Sequence, residues 1–427
     1  MQLTTVPLAA NQAGRIALAL GPHRWLKSPC FFGVWIRGAV DPALLGRALD
    51  QLVRRHSALR YRIDPDRQMA VCEPPDGWPL RIADLRGSDV PTRLAAELDA
   101  LRAPFPLGSA PLRRAVLVRC TDTLALLGIA VDHIVFDGAS VSPFLRDLER
   151  LCGGAPDVDG PDVDGPDVDG SDVDGSDVEG SDVEGSDVEG SDYTTFGARE
   201  AAWLSGPDGT AGLAYWRRQV PAAGPFSTGP LRRDGPARPA VHWSRDITTA
   251  HRRPFVPLVA ALTRALRRRQ PDAPLGLVFP ISRRVWPGTR HAIGYYNNRV
   301  YLELPHDPSP DSLLPSVREA VSRALQHSVV PFEALLPPDE YDRRPAAPYL
   351  FLNVTDDPRS PALPGAETEF TWLTPGGVPA TIHGITLICL VRPTGLMLDA
   401  VYDPGRVDGP ALESVLEETA TMMAGVR

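Results

Sequence analysis

Along this chain, stretches whose apolar residues recur every third or fourth position alternate with short runs that are apolar throughout. Residues 31–40 form the first such run and predict a strand. Asp41-Pro42 then predicts a helix start, with the carboxylate capping free amides and proline tolerated in the first turn. Leu44, Leu45, Ala48, Leu49, Leu52 and Val53 give that helix one apolar stripe, ending near His56. Strands are predicted at 112–119 and 124–132, the second apolar on both faces as a central strand would be. Residues 140–151 predict a further helix with Val141, Phe144, Leu145 and Leu148 on one side. Farther on, helical spacing returns at 194–204, 254–269, 312–326 and 411–423, and strand-like runs at 275–281, 349–354, 382–391 and 396–402. Strands mixed with helices in both halves predict an α/β fold of two lobes. The Gly-, Pro- and Asp-rich residues 205–212 read as a hinge between a lobe of 1–204 and one of 205–427.

One segment follows neither period. Residues 156–190 are seven five-residue units: PDVDG three times, SDVDG once and SDVEG three times. One valine per unit buries too little apolar surface to offset the entropy of ordering, so 154–192 read as a disordered insertion. D-x-D-G invites a calcium reading, but the twelve-residue loop with its terminal bidentate glutamate is missing. The tract also distorts the charge balance. The chain carries −9, and without the tract's fourteen acids the remainder is +5. A mildly basic body suits an acidic or phosphate-bearing partner, whereas no basic stripe with interleaved aromatics argues for nucleic acid.

With 427 residues, 43% of them hydrophobic, the chain can bury sizeable cores. Its longest apolar runs fall far short of the roughly 20 residues of a membrane span, and no basic-then-apolar leader opens it, so a cytoplasmic location is expected. The five cysteines form no C-x-x-C pair and read as buried thiols in a reducing compartment. Nine histidines without ligand spacing predict no metal.

Chemistry is concentrated in AVDHIVFDGAS, residues 130–140. His133 stands at the end of the predicted strand, where a side chain can leave the core. Asp132, if still extended, points to the opposite face. Ile134-Val135-Phe136 hold the turn against the core, Asp137 follows, and Gly138 allows a sharp reversal into the next helix. This spacing gives a positioned imidazole, but it equally fits a satisfied core histidine beside an aspartate that caps a helix.

Read in order, seven pieces of the chain resemble the condensation domains of nonribosomal peptide synthetases. They are Asn11-Gln12-Ala13-Gly14-Arg15, then Arg55 to Arg60 (RHSALR), Asp132-His133 through Gly138, Tyr193 to Trp203, Ile293 to Asn298 (IGYYNN), His327 to Leu335 with Pro331-Phe332-Glu333, and Phe351-Leu352-Asn353. The resemblance implies two chloramphenicol-acetyltransferase-like lobes in a V-shaped pseudo-dimer, with a tunnel between them and the histidine halfway along. It implies an acyltransferase that joins a carrier-protein-bound acyl or aminoacyl thioester to an amine or alcohol in natural-product biosynthesis. No cofactor of its own is implied, since the phosphopantetheine arm arrives with the carrier protein, and the family default is a monomer. His133 takes the place of the histidine the family relies on, as general base or as hydrogen-bond donor to the oxyanion. Asp137 should brace the turn through an ion pair, for which Arg60 matches the family's arginine. Asn353 and Trp203 are candidates to line the tunnel, and Arg284 is a candidate for the phosphate of an incoming arm. Asp132 departs from the family, which has histidine there, and its carboxylate then needs a donor on the far face of the strand. No adenylation or carrier module accompanies these motifs, so a free-standing enzyme with partners supplied in trans is expected. Two other roles fit the same resemblance: an acyltransferase using acyl-CoA on a finished metabolite, and a catalytically silent docking module that recruits partners to a carrier.

Overall fold

The computed structural model describes residues 4–20, 29–153, 193–221, 229–306, 310–336, 349–373 and 383–424. The repeat tract expected to be disordered, 154–192, lies outside the described residues.

The central strand expected from its apolar run is β7 (Leu124–Val131), buried at every position but the first. It lies antiparallel between β2 (Cys30–Gly38) and β6 (Arg113–Arg119), and β5 (Leu80–Asp84) pairs parallel with β6. Beyond β2 the sheet gains a strand from much later in the chain, β12 (Ala366–Trp372), which runs antiparallel with Phe370 opposite Val34. Helices α2 (Pro42–Arg55) and α4 (Val141–Leu151) cover this sheet, with Asp41 capping α2 through its carboxylate at 2.8 Å from the Ala43 amide. A small three-stranded sheet, β1 (Thr4–Pro7), β4 (Met69–Cys72) and β3 (Tyr61–Asp64), lies apart from it.

The second half builds a six-stranded sheet. Its order is β10 (Asn297–Glu303), β9 (Gly276–Ser282), β11 (Tyr349–Asp356), β13 (Gly384–Arg392), β14 (Gly395–Tyr402) and β8 (Val241–Thr248). The central pairs β9–β11 and β11–β13 are parallel, the outer ones antiparallel. Helix α7 (Phe255–Arg267) packs against α8 (Pro310–Gln326) and α9 (Gly409–Ala424) in the same core. The hydrophobic residues thus divide between two cores. The first gathers Phe32, Trp78, Phe136 and Phe144, and the second Trp216, Phe279, Leu398 and Leu416. The division does not follow the sequence strictly, because Ala292, Ile293, Tyr295, Tyr296 and Phe370 from the second half belong to the first core.

Residues 205–212 are not a loose hinge. Helix α5 (Phe196–Ser205) gives way at Gly206 to α6 (Pro207–Gln219), whose proline in the first turn and Asp208 nearby are ordinary helix-start residues. The glycines that suggested a linker serve packing. A Cβ on Gly209 would lie 2.3 Å from the Trp203 carbonyl, and one on Gly212 2.6 Å from Val330, so only glycine lets α6 lie this close to its neighbours. Helix α5 bridges the two cores: Phe196 is buried in the first, while Trp203 packs on the second.

Candidate active site

β7 ends one residue earlier than its apolar pattern suggested, at Val131. Asp132 heads the turn instead of extending the strand. Its amide donates to the Leu112 carbonyl at 2.8 Å, its Oδ1 accepts the Ile134 amide at 3.0 Å, and its carbonyl accepts the Val135 amide at 3.1 Å. The alternation of strand faces therefore does not govern Asp132, and the donor it needs comes from the backbone of its own turn. The aspartate in this place is an aspartate-headed turn that presents the next residue, His133.

Asp137 is the anchor of that turn. Its Oδ1 accepts the Ser140 amide at 2.9 Å and the Ser140 hydroxyl at 2.7 Å, and its Oδ2 accepts the Tyr296 amide at 3.0 Å. The Arg284 guanidinium grips both oxygens, at 2.8 and 3.0 Å. Such a planar two-point match is what arginine offers a buried carboxylate. Burial acts to raise the pKa of Asp137, but the charge and hydrogen bonds of Arg284, the Ser140 hydroxyl and the neighbouring imidazole outweigh it and leave the group below the usual carboxylate range. Arg60, expected in this role, is elsewhere: its Nη1 donates to the Glu73 carbonyl at 3.2 Å. Arg284 is correspondingly no candidate for the phosphate of an arm, because it is committed to Asp137, to the Ser140 and Ser282 hydroxyls and to the Ala292 carbonyl, with its guanidinium 4.4 Å from the Tyr296 ring centre.

Gly138 has an exposed, ordinary backbone, and a Cβ added there would meet nothing within 4 Å. The turn needs no glycine for its conformation; the residue leaves open space beside Asp137. Trp203, half-buried, packs on the second core next to Gly212. Asn353 lies in β11 opposite Ile388, on the face away from the fully buried Leu350 and Leu352. That is the face of the sheet left uncovered by its helices.

Around His133 the two halves of the chain interlock. The Tyr295 ring meets the imidazole edge to face at 5.3 Å between centres. Tyr193 donates its hydroxyl to the Tyr295 carbonyl at 2.9 Å, and the Ser140 hydroxyl, whose proton goes to Asp137, accepts the Gly294 amide at 3.1 Å. Helix α1 (Ala10–Leu20) closes the assembly: Gln12 donates to the Ile134 carbonyl at 2.8 Å, and Asn11 to the carbonyls of Tyr295 and Asn297 at 2.9 and 2.8 Å. Behind it, the Ala10 amide donates to Glu200 at 2.6 Å, and the same carboxylate is ion-paired with Arg283 in a fully buried setting. The RHSALR segment is a brace at greater distance, where Asp147 of α4 takes both His56, at 2.7 Å, and Arg55, at 2.9 Å.

The imidazole itself is held neutral. Burial, and after it the charge of Arg15, push the pKa of His133 down to about 4, against an upward pull from Asp137 and from the carbonyls of His133 and Phe136. Among the described residues the buried Nδ1 meets no hydrogen-bond partner. A neutral imidazole can accept a proton or donate a hydrogen bond, but one this weakly basic is a poor proton sink at neutral pH. Ser140, Tyr193, Tyr295 and Arg15 are functional neighbours that residue-level reading passed over. Arg15, Tyr193 and Tyr295 lie in three of the motifs quoted above without being singled out, and Ser140 had a local signal, the D-x-x-S spacing of a capping box, which is observed here.

Residues 4–159 match the family described as Condensation domain. Over most of its length the chain is similar to condensation domains of nonribosomal peptide synthetases. Malpinin synthetase of Mortierella alpina is 27% identical over 361 residues, covering 77% of this chain and 4% of that much longer protein. The starter condensation domain of rhizomide synthetase RzmA, solved as a variant in complex with C8-CoA, superposes with a TM-score of 0.73 at 18% identity, covering 99% of this chain and 94% of the other. The X-domain of teicoplanin biosynthesis, solved in complex with OxyB, gives 0.73 at 21%, covering 99% and 93%. The condensation domain has the two-lobe, chloramphenicol-acetyltransferase-like fold, and the likeness to the two solved structures rests on that fold. The chain spans only a small part of the synthetase it matches.

Proposed function

We propose that this chain joins an acyl or aminoacyl thioester, presented on the phosphopantetheine arm of a carrier protein, to an amine or alcohol nucleophile. The observation that carries this reading is a neutral His133 at the head of a turn pinned from the other half of the chain through Asp137 and Arg284. The nucleophile's nitrogen or oxygen attacks the thioester carbonyl carbon, the new C–N or C–O bond forms, and the C–S bond breaks to release the arm's thiol. The proton lost by the nucleophile ends on the departing sulfur. His133 sits where it can orient the nucleophile by a hydrogen bond and hand that proton on, and its low basicity favours this over storing a full charge.

The aspartate at position 132 favours a second reading, a docking module without chemistry, as does the likeness to an X-domain solved with a partner protein. Intact-protein mass spectrometry of an acyl-loaded carrier with a panel of amines and alcohols separates the two. Transfer of the acyl mass by wild type, lowered roughly 10²- to 10⁴-fold in His133→Ala, is the outcome expected of a positioned proton-transfer group. A carrier that binds and keeps its acyl group with every nucleophile sinks the condensation reading in favour of docking.

A further inference from the structure

Two arginines follow β9, and they reach to different partners. Arg284 takes Asp137, the anchor of the His133 turn. Arg283 takes Glu200 of α5 instead, and both members of that pair are buried. The Arg283 amide donates to the Tyr296 carbonyl at 3.0 Å and the Tyr296 amide donates to Asp137, so the two arginines are tied to the same stretch of backbone. Glu200 in turn accepts the amide of Ala10, the first residue of α1, at 2.6 Å. The open amides at a helix start favour a carboxylate, and here it comes from another helix. Helix α5 also presses on the chain leading into α1, since a Cβ on Gly197 would lie 2.2 Å from the Pro7 carbonyl.

Fold stability alone does not account for a charge pair in this place. Nε and Nη2 of Arg283 are buried without a hydrogen-bond partner among the described residues, and the guanidinium lies 5.2 Å from the Phe196 ring centre. Apolar side chains of similar volume often match or exceed the stability of a buried pair, most readily one whose hydrogen bonds are incomplete. What they do not supply is direction. A carboxylate fixed by Arg283 receives the Ala10 amide in one orientation, and the next two residues of the helix touch the site. Asn11 donates to the carbonyl of Tyr295, whose ring lies against His133, and Gln12 donates to the carbonyl of Ile134, the residue after His133.

We propose that Glu200 and Arg283 are positioning residues of the condensation site, a buried ionic clasp between α5 and the end of β9 that sets where the first turn of α1 lies. Through Asn11 and Gln12 the clasp holds the His133 turn. It serves the reaction proposed above, on which only the kinetic part of its test rests.

The test compares the double variant Glu200→Met with Arg283→Met, and the single variant Arg283→Lys, with wild type. Each full chain is followed by thermal melting, by histidine-selective NMR with His133 assigned from His133→Gln, and by acyl transfer from a loaded carrier. The double variant should melt within about 5 °C of wild type. Its His133 ring signals should shift, and kcat should fall roughly 10- to 100-fold with KM for the carrier within about threefold, the pattern of a misplaced group. Arg283 gives Glu200 a single N–H, so Arg283→Lys, which keeps the charge and a donor, should restore the His133 signals and bring kcat to within about threefold of wild type. Unmoved His133 signals in the double variant overturn the proposal. So does a double variant that melts far below wild type, which would make the pair a prop of the fold. A lysine variant that behaves like the double one overturns it too, since shape and not charge would then be the cause. If the signals move as expected but wild type transfers no acyl group, the clasp stands and the condensation reading fails.

Discussion

At the scale of single residues, the site depends on which arginine holds Asp137. Arg60 was expected in the role and Arg284 fills it, and the difference between them is measurable. Arg284→Met leaves a buried carboxylate facing its remaining donors without a counter-charge, and a loss of about 3–5 kcal/mol in unfolding free energy is expected from denaturant titration. Arg60→Met removes one hydrogen bond to a carbonyl, and a loss near 1 kcal/mol is expected. Equal losses would show that Arg60 matters to the turn by a route other than the observed contacts. The spacing of His133, Asp137 and Ser140 was legible along the chain because all three sit within one turn and its cap. The arginine was not, because a partner 147 positions away is selected by sheet packing and not by spacing.

At the scale of elements, β12 shows what local pattern omits. Its sequence AETEFTW alternates, and its observed burial alternates with it up to the buried Phe370. Nothing in that alternation says that the strand will leave its own half of the chain and pair with β2. Phe370 seats it: the ring lies 6.3 Å from Phe32 and 5.1 Å from Trp372. Phe370→Ala should cost about 3 kcal/mol or more and speed hydrogen exchange of the amides along β12 and the facing edge of β2, with the six-stranded sheet unaffected. Uniform loss of protection in both sheets would mean that the two cores unfold as one unit. Helices α5 and α6 carry the converse lesson. Glycine and proline there were signals of a linker by composition, yet the glycines are small residues at a tight helix contact.

For the whole molecule, a half-buried histidine held neutral ties stability to pH. An ordinary histidine titrates near 6.5, and in the folded protein His133 titrates at about 4. Between those values the unfolded chain binds a proton that the native site refuses, so stability falls as pH drops from 6.5 towards 4 and the histidine contribution levels off below that. Asp137 acts lower still: its folded pKa is depressed, so its stabilising share is lost as pH falls through the carboxylate range. Melting temperature followed against pH should therefore slope downward over 6.5 to 4 in wild type and slope less in His133→Gln. An identical slope in both would remove His133 from the account. No helix among the described residues is long and apolar enough to cross a membrane.

The sequence by itself determined the mixed α/β elements, the central strand, the turn after it and, through seven ordered motifs, the resemblance to condensation domains. These are properties of neighbouring residues: periodicity, capping and spacing act over a few positions, and motifs preserve their order along the chain. Tertiary structure alone decided that β7 stops at Val131 and that Asp132 turns inward on its own backbone. It alone decided that Arg284 and not Arg60 matches Asp137 and that β12 crosses to the other sheet. Each of those depends on how two distant surfaces meet, and burial, charge pairing and the neutrality of an imidazole are set only once they do.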